Sequence, residues 1–498
     1  MNEHGKSDSP VVPVKPPNKA MASAIGAEVV EERGLAKGNT DSTTRPGHSA
    51  GPDVSNGLDR VREVAKQDKD ARFSALLHHV DFNRLWKAYW AIRPEAAPGV
   101  DGVTWEDYGQ DLEGNLQSLL ARVHSGAYRA SPSRRVYIPK ADGRQRPLGI
   151  ATVEDKVLQR AVVEVLNAIY EEDFLGFSYG FRPGRSPHYA LDALSVGIER
   201  KKVNWVLDAD LRDFFTSLDH GWLEKFLEHR IADKRVLRLI RKWVNAGVIE
   251  DGAWTASGGG APQGASASPL LANVYLHYVL DRWVRQWRQK HAHGDVIIVR
   301  FADDFVAGFE HQADAQQFLS DLRERLAKFS LELHPDKTRL IEFGRNAART
   351  RAARGAGKPE TFDFLGFTYI CGRTKNGRFW LRRKTISKRM RAKLAEVKDQ
   401  LRRRMHLPIP EQGAWLGSVV RGHLAYYAVP GNTDAVSAFR IQVTKLWFKA
   451  LRRRSQRHRL NWNRMNRIAT RWLPPARVQH PFPSVRFDAR TRGRSPVR

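Results

Sequence analysis

The 498-residue sequence carries 83 Lys and Arg against 54 Asp and Glu, a formal net charge of +29, with 41% hydrophobic and 10% aromatic residues. That length and core-forming content provide for two or more globular domains and exclude a wholly disordered chain, while the charge calls for a polyanionic partner or an anionic surface. The single cysteine, Cys371, excludes an internal disulfide, a cysteine-pair zinc site and an iron–sulfur cluster, and agrees with a reducing cytoplasm. Neither a secretory signal nor an apolar run long enough to span a bilayer is present, which favours a nucleic acid over a membrane as the partner.

Residues 1–60 contain no aromatic residue, six prolines and nearly balanced charge, 7 Lys and Arg against 8 Asp and Glu. They offer too little apolar surface to offset their ordering entropy, and a disordered leader is predicted. From Phe73 the spacing of Leu76, Leu77, Val80, Phe82, Leu85 and Tyr89 predicts helix, ended at Arg93-Pro94. Leu112, Leu116, Leu119, Leu120 and Val123 share one face of a further helix over 111–124. Arg134 to Ile150 alternates strand formers with bases and turns through Asp142-Gly143, a hairpin signal. On its two arms, Lys140 as a point charge and Arg146 as a bidentate donor suit a triphosphate, and equally suit an edge strand blunted by charge.

A helix is predicted over 154–171, followed by the loop Tyr179 to Ser186, whose Arg182 and Arg185 either hold a phosphate backbone or turn a corner. Val203 to Leu211 reads as a short buried strand, with Asp208 and Asp210 on one face by the period of two. Small residues from Gly258 to Pro269 permit close approach of a backbone or base before a helix, and Gln263 supplies both donor and acceptor. Val296 to Phe309 reads as two apolar strands joined by a tight turn that carries Ala302, Asp303 and Asp304. Asp is a common turn residue, so an isolated Asp-Asp pair is most often a solvated turn; beside so much Val, Ile and Phe, a divalent cation is the competing explanation. A helix over 313–329 and a compact apolar strand over 362–367 complete this part.

The composition then shifts: residues 381–480 hold 24 Lys and Arg and only 4 Asp and Glu, +20 of the total +29. Leu394, Val397 and Leu401 mark the apolar face of a basic helix that opens with Lys388 and Arg389. The interspersed aromatics, Trp447 and Trp462 among them, are expected mostly in a core rather than as stacking platforms. Arg452, Arg453, Arg454 and Arg457 repel one another unless phosphates neutralise them, and they are the first candidates for RNA contact.

Asp210 at a strand end, with Asp303 and Asp304 at a hairpin tip, supplies the three hard-oxygen acids that two magnesium ions need for nucleotidyl transfer. With these residues the sequence resembles the group II intron-encoded reverse transcriptases/maturases from about residue 60 onward. The blocks that carry the resemblance are Gly99-Val100-Asp101-Gly102, Ile138-Pro139-Lys140 with Arg146-Pro147-Leu148, and Ser178 to Gly184. They continue with Ala209-Asp210-Leu211 and Phe214-Phe215, Pro262-Gln263-Gly264 with Ser268 to Asn273, Phe301 to Asp304, and Phe364 to Phe367, in the family's order.

The resemblance implies an α+β right-hand polymerase: a leader over 1–60, fingers and palm over 61–372, a helical thumb or maturase domain over 373–480, and a short basic tail over 481–498. Asp210, Asp303 and Asp304 would be catalytic and hold two Mg2+, with Asp208 as the competing ligand. Lys140, Arg146, Phe215 and Gln263 would bind the deoxynucleoside triphosphate, with Phe215 under the sugar to exclude a 2′-hydroxyl. Arg182, Arg185, Lys388, Arg389, Arg452, Arg453, Arg454 and Arg457 would contact RNA. The implied partners are the intron RNA, an RNA template with a DNA or RNA primer, and target DNA, in a bacterial cytoplasm or on its nucleoid; no membrane is implied. Phe301 stands where the family usually has Tyr, and no Cys- and His-bearing HNH nuclease segment follows His480, so target nicking is expected to come from elsewhere. A maturase-only splicing factor is the alternative function.

Overall fold

Strands that read as unbroken apolar runs need cover on both faces. In the computed structural model, which describes residues 55–139, 145–250, 253–255, 260, 264–454 and 460–491, the runs around Asp303 receive that cover. The strands in the first half are β1 (Ser133–Pro139), β2 (Gln145–Ile150), β3 (Trp205–Ala209), β4 (Val248–Glu250) and β5 (Ala253–Thr255). Those in the second are β6 (Val296–Phe301), β7 (Asp304–Phe309), β8 (Arg339–Glu342), β9 (Phe362–Phe364), β10 (Phe367–Arg373) and β11 (Phe379–Thr385). They form three sheets, ordered β2-β1-β4-β5, β6-β7-β3-β8 and β11-β10-β9. With the helices between them, this is an α+β fold.

The central sheet β6-β7-β3-β8 is antiparallel throughout. Helices α1 (Ser55–Gln67), α2 (Phe82–Trp90), α3 (Leu112–Ser125) and α4 (Val153–Asp173) precede it in the chain, and α5 (Pro187–Arg200) leads into β3. α6 (Ser268–Leu276) and α7 (Gln312–Ala327) flank the β6–β7 hairpin in sequence. Leu207, Ile298, Ala307 and Phe309 join the core that includes α4, α6 and α7. Val206, Ile297, Val299 and Val306 on the other face pack with Leu191 and Leu194 of α5 and with Phe362 and Tyr369 of the third sheet. Every β6 residue is buried, and every β7 residue except Asp304.

Two expectations change here. α1 starts inside the stretch read as leader: Leu58, Val61 and Ala65 fall at helical spacing and are buried in the same core as α4, a partner that composition cannot reveal. Residues 1–54 lie outside the described residues. The strand expected over 362–367 is two strands, because Leu365 and Gly366 adopt φ of 46° and 86° and fold Phe364 back opposite Phe367; paired positive φ values are what a two-residue hairpin turn requires.

Beyond Thr385 the chain is helical: α8 (Ser387–Arg403), α9 (Ile409–Tyr427), α10 (Thr433–Arg452) and α11 (Trp462–Trp472). Val397, Leu401, Leu416, Val420, Phe439, Val443, Trp447 and Met465 form their common core. Most of the aromatics among the bases are therefore core, as their spacing predicts, while Trp462 is not. Among the described residues no helix is long and apolar enough to cross a membrane.

The stretch read as a short basic tail carries α12 (Pro483–Thr491), which docks on α5. Asp192 of α5, 1% exposed, receives Arg383 from β11 at 3.4 Å and the Arg486 guanidinium from α12, and Arg200 binds Asp488 at 2.7 Å. One carboxylate thus binds two arginines from distant parts of the chain. Asp192→Asn strands the buried Arg383 charge and is expected to cost ~3 kcal/mol, read as a lower urea midpoint with unchanged slope.

Candidate active site at the β3 and β7 strand ends

Strand register brings the acids together. Ala209 pairs with Phe305 at the last rung of β3 and β7, so the next residues outward are Asp210 and Asp304. Phe301 pairs with Asp304 across the β6–β7 hairpin, leaving Ala302 and Asp303 as the turn, with Ala302 at φ 57°. The tip is held tightly from outside: a Cβ on Gly180 would lie 2.2 Å from the Ala302 nitrogen, so only glycine permits this approach.

Asp303 is half-buried and Asp304 opens to solvent on one side, yet protein surrounds both closely enough to resist their ionisation. Desolvation and the Asp210 charge raise the Asp303 pKa, opposed by Arg146 and Lys337. Desolvation, Asp303 and Asp210 raise Asp304 further, and a side-chain hydrogen bond links it to Asp210. The Lys337 ammonium binds the Asp210 carboxylate, and the Asp210 carbonyl accepts the His334 amide at 2.8 Å. Asp208, the competing ligand, is turned to Arg339 at 3.3 Å, and burial lifts it to about 6.

Three mutually repelling carboxylates form a hard-oxygen donor set that suits Mg2+, and Lys337 marks a position that attracts a cation. Among the described residues, however, no group of three or more His, Cys, Asp or Glu side chains is close enough to enclose a metal as it stands. The acids are coupled electrostatically without a preassembled shell.

Arg146 is half-buried, paired across β1–β2 with Ile138, and its charge reaches Asp303. Phe215, in the segment after Asp210, packs edge-on to Phe214 at 5.4 Å and to Phe181 at 6.4 Å. A Cβ on Gly260 would lie 2.6 Å from the Phe215 carbonyl, which brings the glycine-rich loop against the same segment. Lys140, Gln263 and Arg457 lie outside the described residues.

The expectation that Arg182 and Arg185 hold RNA does not survive their geometry. Arg182 is 3% exposed, clamps Glu171 at 2.9–3.1 Å and donates to the Leu175 and Ser178 carbonyls. Arg185 donates to the Gly176 carbonyl at 2.7 Å and lies over the Tyr179 ring, and burial pushes it down to about 10. Both arginines turn the corner from inside. Lys388, Arg389, Arg452 and Arg453 are exposed; Arg454 is half-buried and donates to the Leu407 carbonyl.

Sequence reasoning missed the group beneath the turn. Arg300 of β6 is fully buried and binds Asp281 at 2.5 and 2.8 Å, Ser178 Oγ at 2.7 Å and Asn273 Oδ1 at 3.1 Å. It also donates to the Ala302 carbonyl at 2.9 Å, while Asn273 donates to the Gly180 carbonyl at 2.8 Å. One guanidinium therefore fixes both the strained turn and the loop pressed on it. Asp281 ends a π-helical turn, His277–Asp281, a device common at functional sites. The available signal was an arginine inside Val-Ile-Ile-Val-Arg-Phe, since a charge on a strand buried on both faces demands a buried partner.

With this geometry in place, the chain falls in the reverse transcriptase class: the family model described as "Reverse transcriptase (RNA-dependent DNA polymerase)" matches residues 138–369. The E. coli K12 protein YkfC is 36% identical over 298 residues, 52% of this chain and 77% of that protein. The group II intron-encoded protein LtrA of Lactococcus lactis is 32% identical over 235 residues, 47% of this chain and 39% of LtrA. Nuclear intron maturase 3, mitochondrial, of Arabidopsis thaliana is 32% identical over 137 residues, 27% of this chain and 18% of the relative. The chain belongs to the group II intron reverse transcriptase/maturase family. It spans less than half the length of two of these three relatives.

The positioning group gives a stability prediction. Arg300→Met leaves Asp281 buried and uncompensated and is expected to cost about 3–5 kcal/mol, measured by chemical denaturation. A double change of Arg300→Met with Asp281→Leu should recover most of that loss, because the stranded charge is gone.

Proposed function

We propose that this chain is an RNA-directed DNA polymerase that also binds its intron RNA to assist splicing and copies it during intron mobility. In this reading residues 61–372 are fingers and palm, 373–480 the thumb or maturase domain, and 481–498 a short basic tail whose described part, 481–491, docks on α5. Asp210, Asp303 and Asp304 hold the metal ions. The observation that carries the reading is the β3–β7 register, which leaves Asp210 and Asp304 adjacent at the strand ends with the Asp303 charge coupled to both.

Two Mg2+ ions, when bound, supply activation of a primer 3′-hydroxyl and neutralisation of triphosphate charge. The protein's own share is to hold three carboxylates at one rim and to fix the turn that carries two of them. Arg146 offers a guanidinium to the incoming triphosphate, with Lys140 and Gln263 as further contacts. Phe215 sets a ring where a 2′-hydroxyl would collide, which favours deoxynucleotides. Lys388, Arg389, Arg452, Arg453, Arg454 and Arg457 bind RNA phosphates; Arg182 and Arg185 are withdrawn from that set.

A second reading, a splicing factor without polymerase activity, is favoured by one observation: Asp210 is tied to Lys337 and the acids do not already enclose a metal. Primer extension on an RNA template with Mg2+ separates the two. Asp303→Asn is expected to lower synthesis at least ~100-fold while intron RNA binding persists, and Asp208→Asn to lower it less than ~10-fold, on the scale that single site groups carry in catalysis. Unchanged synthesis by Asp303→Asn sinks the polymerase assignment; splicing assistance by a wild type without primer extension establishes the second reading.

A pH prediction follows from the raised carboxyls. Asp303 and Asp304 keep their protons to higher pH in the folded chain than in the unfolded one. Folding stability therefore falls as pH rises from the ordinary carboxylate pKa towards their raised values. Mg2+ binds the ionised acids and should raise the Tm more at pH 8 than at pH 5, an effect lost in Asp303→Asn.

A further inference from the structure

Between α10 and α11 lies a groove of about 230 Å³, lined by Ile441, Thr444, Lys445, Trp462, Asn466 and Thr470 among others. It is smaller than the roughly 300–1,000 Å³ of a cofactor pocket, and suits one planar ring rather than a whole cofactor. Its apolar surface is not part of the helical core: Ile441 is 50% exposed and Trp462 45% exposed. The Trp462 ring is nonetheless held in place, because Phe448 stacks against it at 4.2 Å and 30°. A rigid indole on the surface, backed by a second ring, is a ready stacking platform.

The surroundings select the partner by charge. The exposed residues of α10 and α11 include Lys445, Lys449, Arg452, Arg464, Arg467 and Arg471. The only acidic residue on either helix is Asp434, in the first turn of α10 and paired with Arg382 at 2.9 Å. No carboxylate lines the groove. An acidic peptide would satisfy the charge but leave the aromatic platform unused. A duplex would engage the bases but conceal its ring faces within the stack. Phosphates joined to an exposed ring face meet both demands, and in RNA such faces occur at loops, bulges and ends.

We propose that this groove captures one unpaired nucleobase of an RNA lying across α10 and α11. The base rests against Trp462, with the Asn466 amide and Thr470 hydroxyl available to its edge and Lys445 to the adjoining phosphate. The proposal deepens the RNA-binding part of the function proposed above and rests on it.

The test uses the full chain and two synthetic RNAs of equal length, a blunt duplex and the same duplex with one bulged purine, titrated at several salt concentrations. The wild type should prefer the bulged RNA. Trp462→Ala should remove about 5- to 100-fold of affinity for the bulged RNA and little for the duplex, the range expected for loss of one base–aromatic stack. Trp462→Phe should retain most of the preference. Ile441→Glu, which puts a carboxylate at the groove without touching the Phe448 stack, should abolish the preference and serves as the second probe if Trp462→Ala unfolds. Lys445→Ala should weaken both RNAs and lower the salt slope by about one.

Equal losses on both RNAs in Trp462→Ala and Ile441→Glu, or no loss on either, overturn the groove as a base site while leaving RNA binding intact. A wild type whose affinity for both RNAs is weak and insensitive to salt overturns the RNA-binding reading itself. A Trp462-dependent preference of the same size for a bulged DNA duplex overturns the assignment to RNA.

Discussion

Three carboxylates at the rim of an apolar sheet repel one another and resist desolvation, and the surrounding structure is arranged around that unfavourable concentration of charge. The register of β3 on β7 forces Asp210 next to Asp304, and the turn puts Asp303 beside them. Positive groups approach from two sides, Lys337 on Asp210 and Arg146 within reach of Asp303. A divalent cation would neutralise the same charge more completely than these two side chains do.

That arrangement needs a rigid base, and Arg300 provides one. Its guanidinium spans Asp281, Ser178, Asn273 and the Ala302 carbonyl, joining the π-helical turn, the loop after α4 and the turn itself. A buried ion pair is a poor source of net stability, because desolvation offsets most of the attraction. Its value here is geometric: a single planar donor reaches several acceptors whose positions set where Asp303 and Asp304 stand.

The distribution of positive charge follows a second logic. Arg182, Arg185, Arg230, Arg300 and Arg383 are drawn into the fold by carboxylates and carbonyls, so these bases present no free charge to solvent. The helices α10 and α11 are different: most of their bases are exposed and Asp434 is their one acid, whereas α8 pairs Lys393 with Glu396 and Arg403 with Asp399 but leaves Lys388 and Arg389 exposed. The exposed positive surface is there, interrupted by the apolar lip at Ile441 and Trp462.

Much of this was legible in the sequence because local pattern carries it. Alternating and continuous apolar runs announced β3, β6 and β7; helical spacing announced α3, α4 and α7 to within two residues at either end; the charge shift after residue 380 announced the basic helices. The order of short motifs led to the family and named Asp210, Asp303 and Asp304 together. What local pattern could not carry were properties that depend on a distant partner. Whether an arginine faces solvent or a carboxylate depends on which carboxylate the fold brings near, and so Arg182 and Arg185 were misread and Arg300 was missed. The leader boundary moved because Leu58, Val61 and Ala65 find cover only in the core they share with α4, and the tail became α12 because Asp192 and Asp488 find their arginines only across the folded chain. The sequence by itself named the three acids as candidates and led to the family; the tertiary structure decided which charges are neutralised internally and which stay exposed, since that choice is made by contacts the fold brings together, up to 294 positions apart for Asp192 and Arg486.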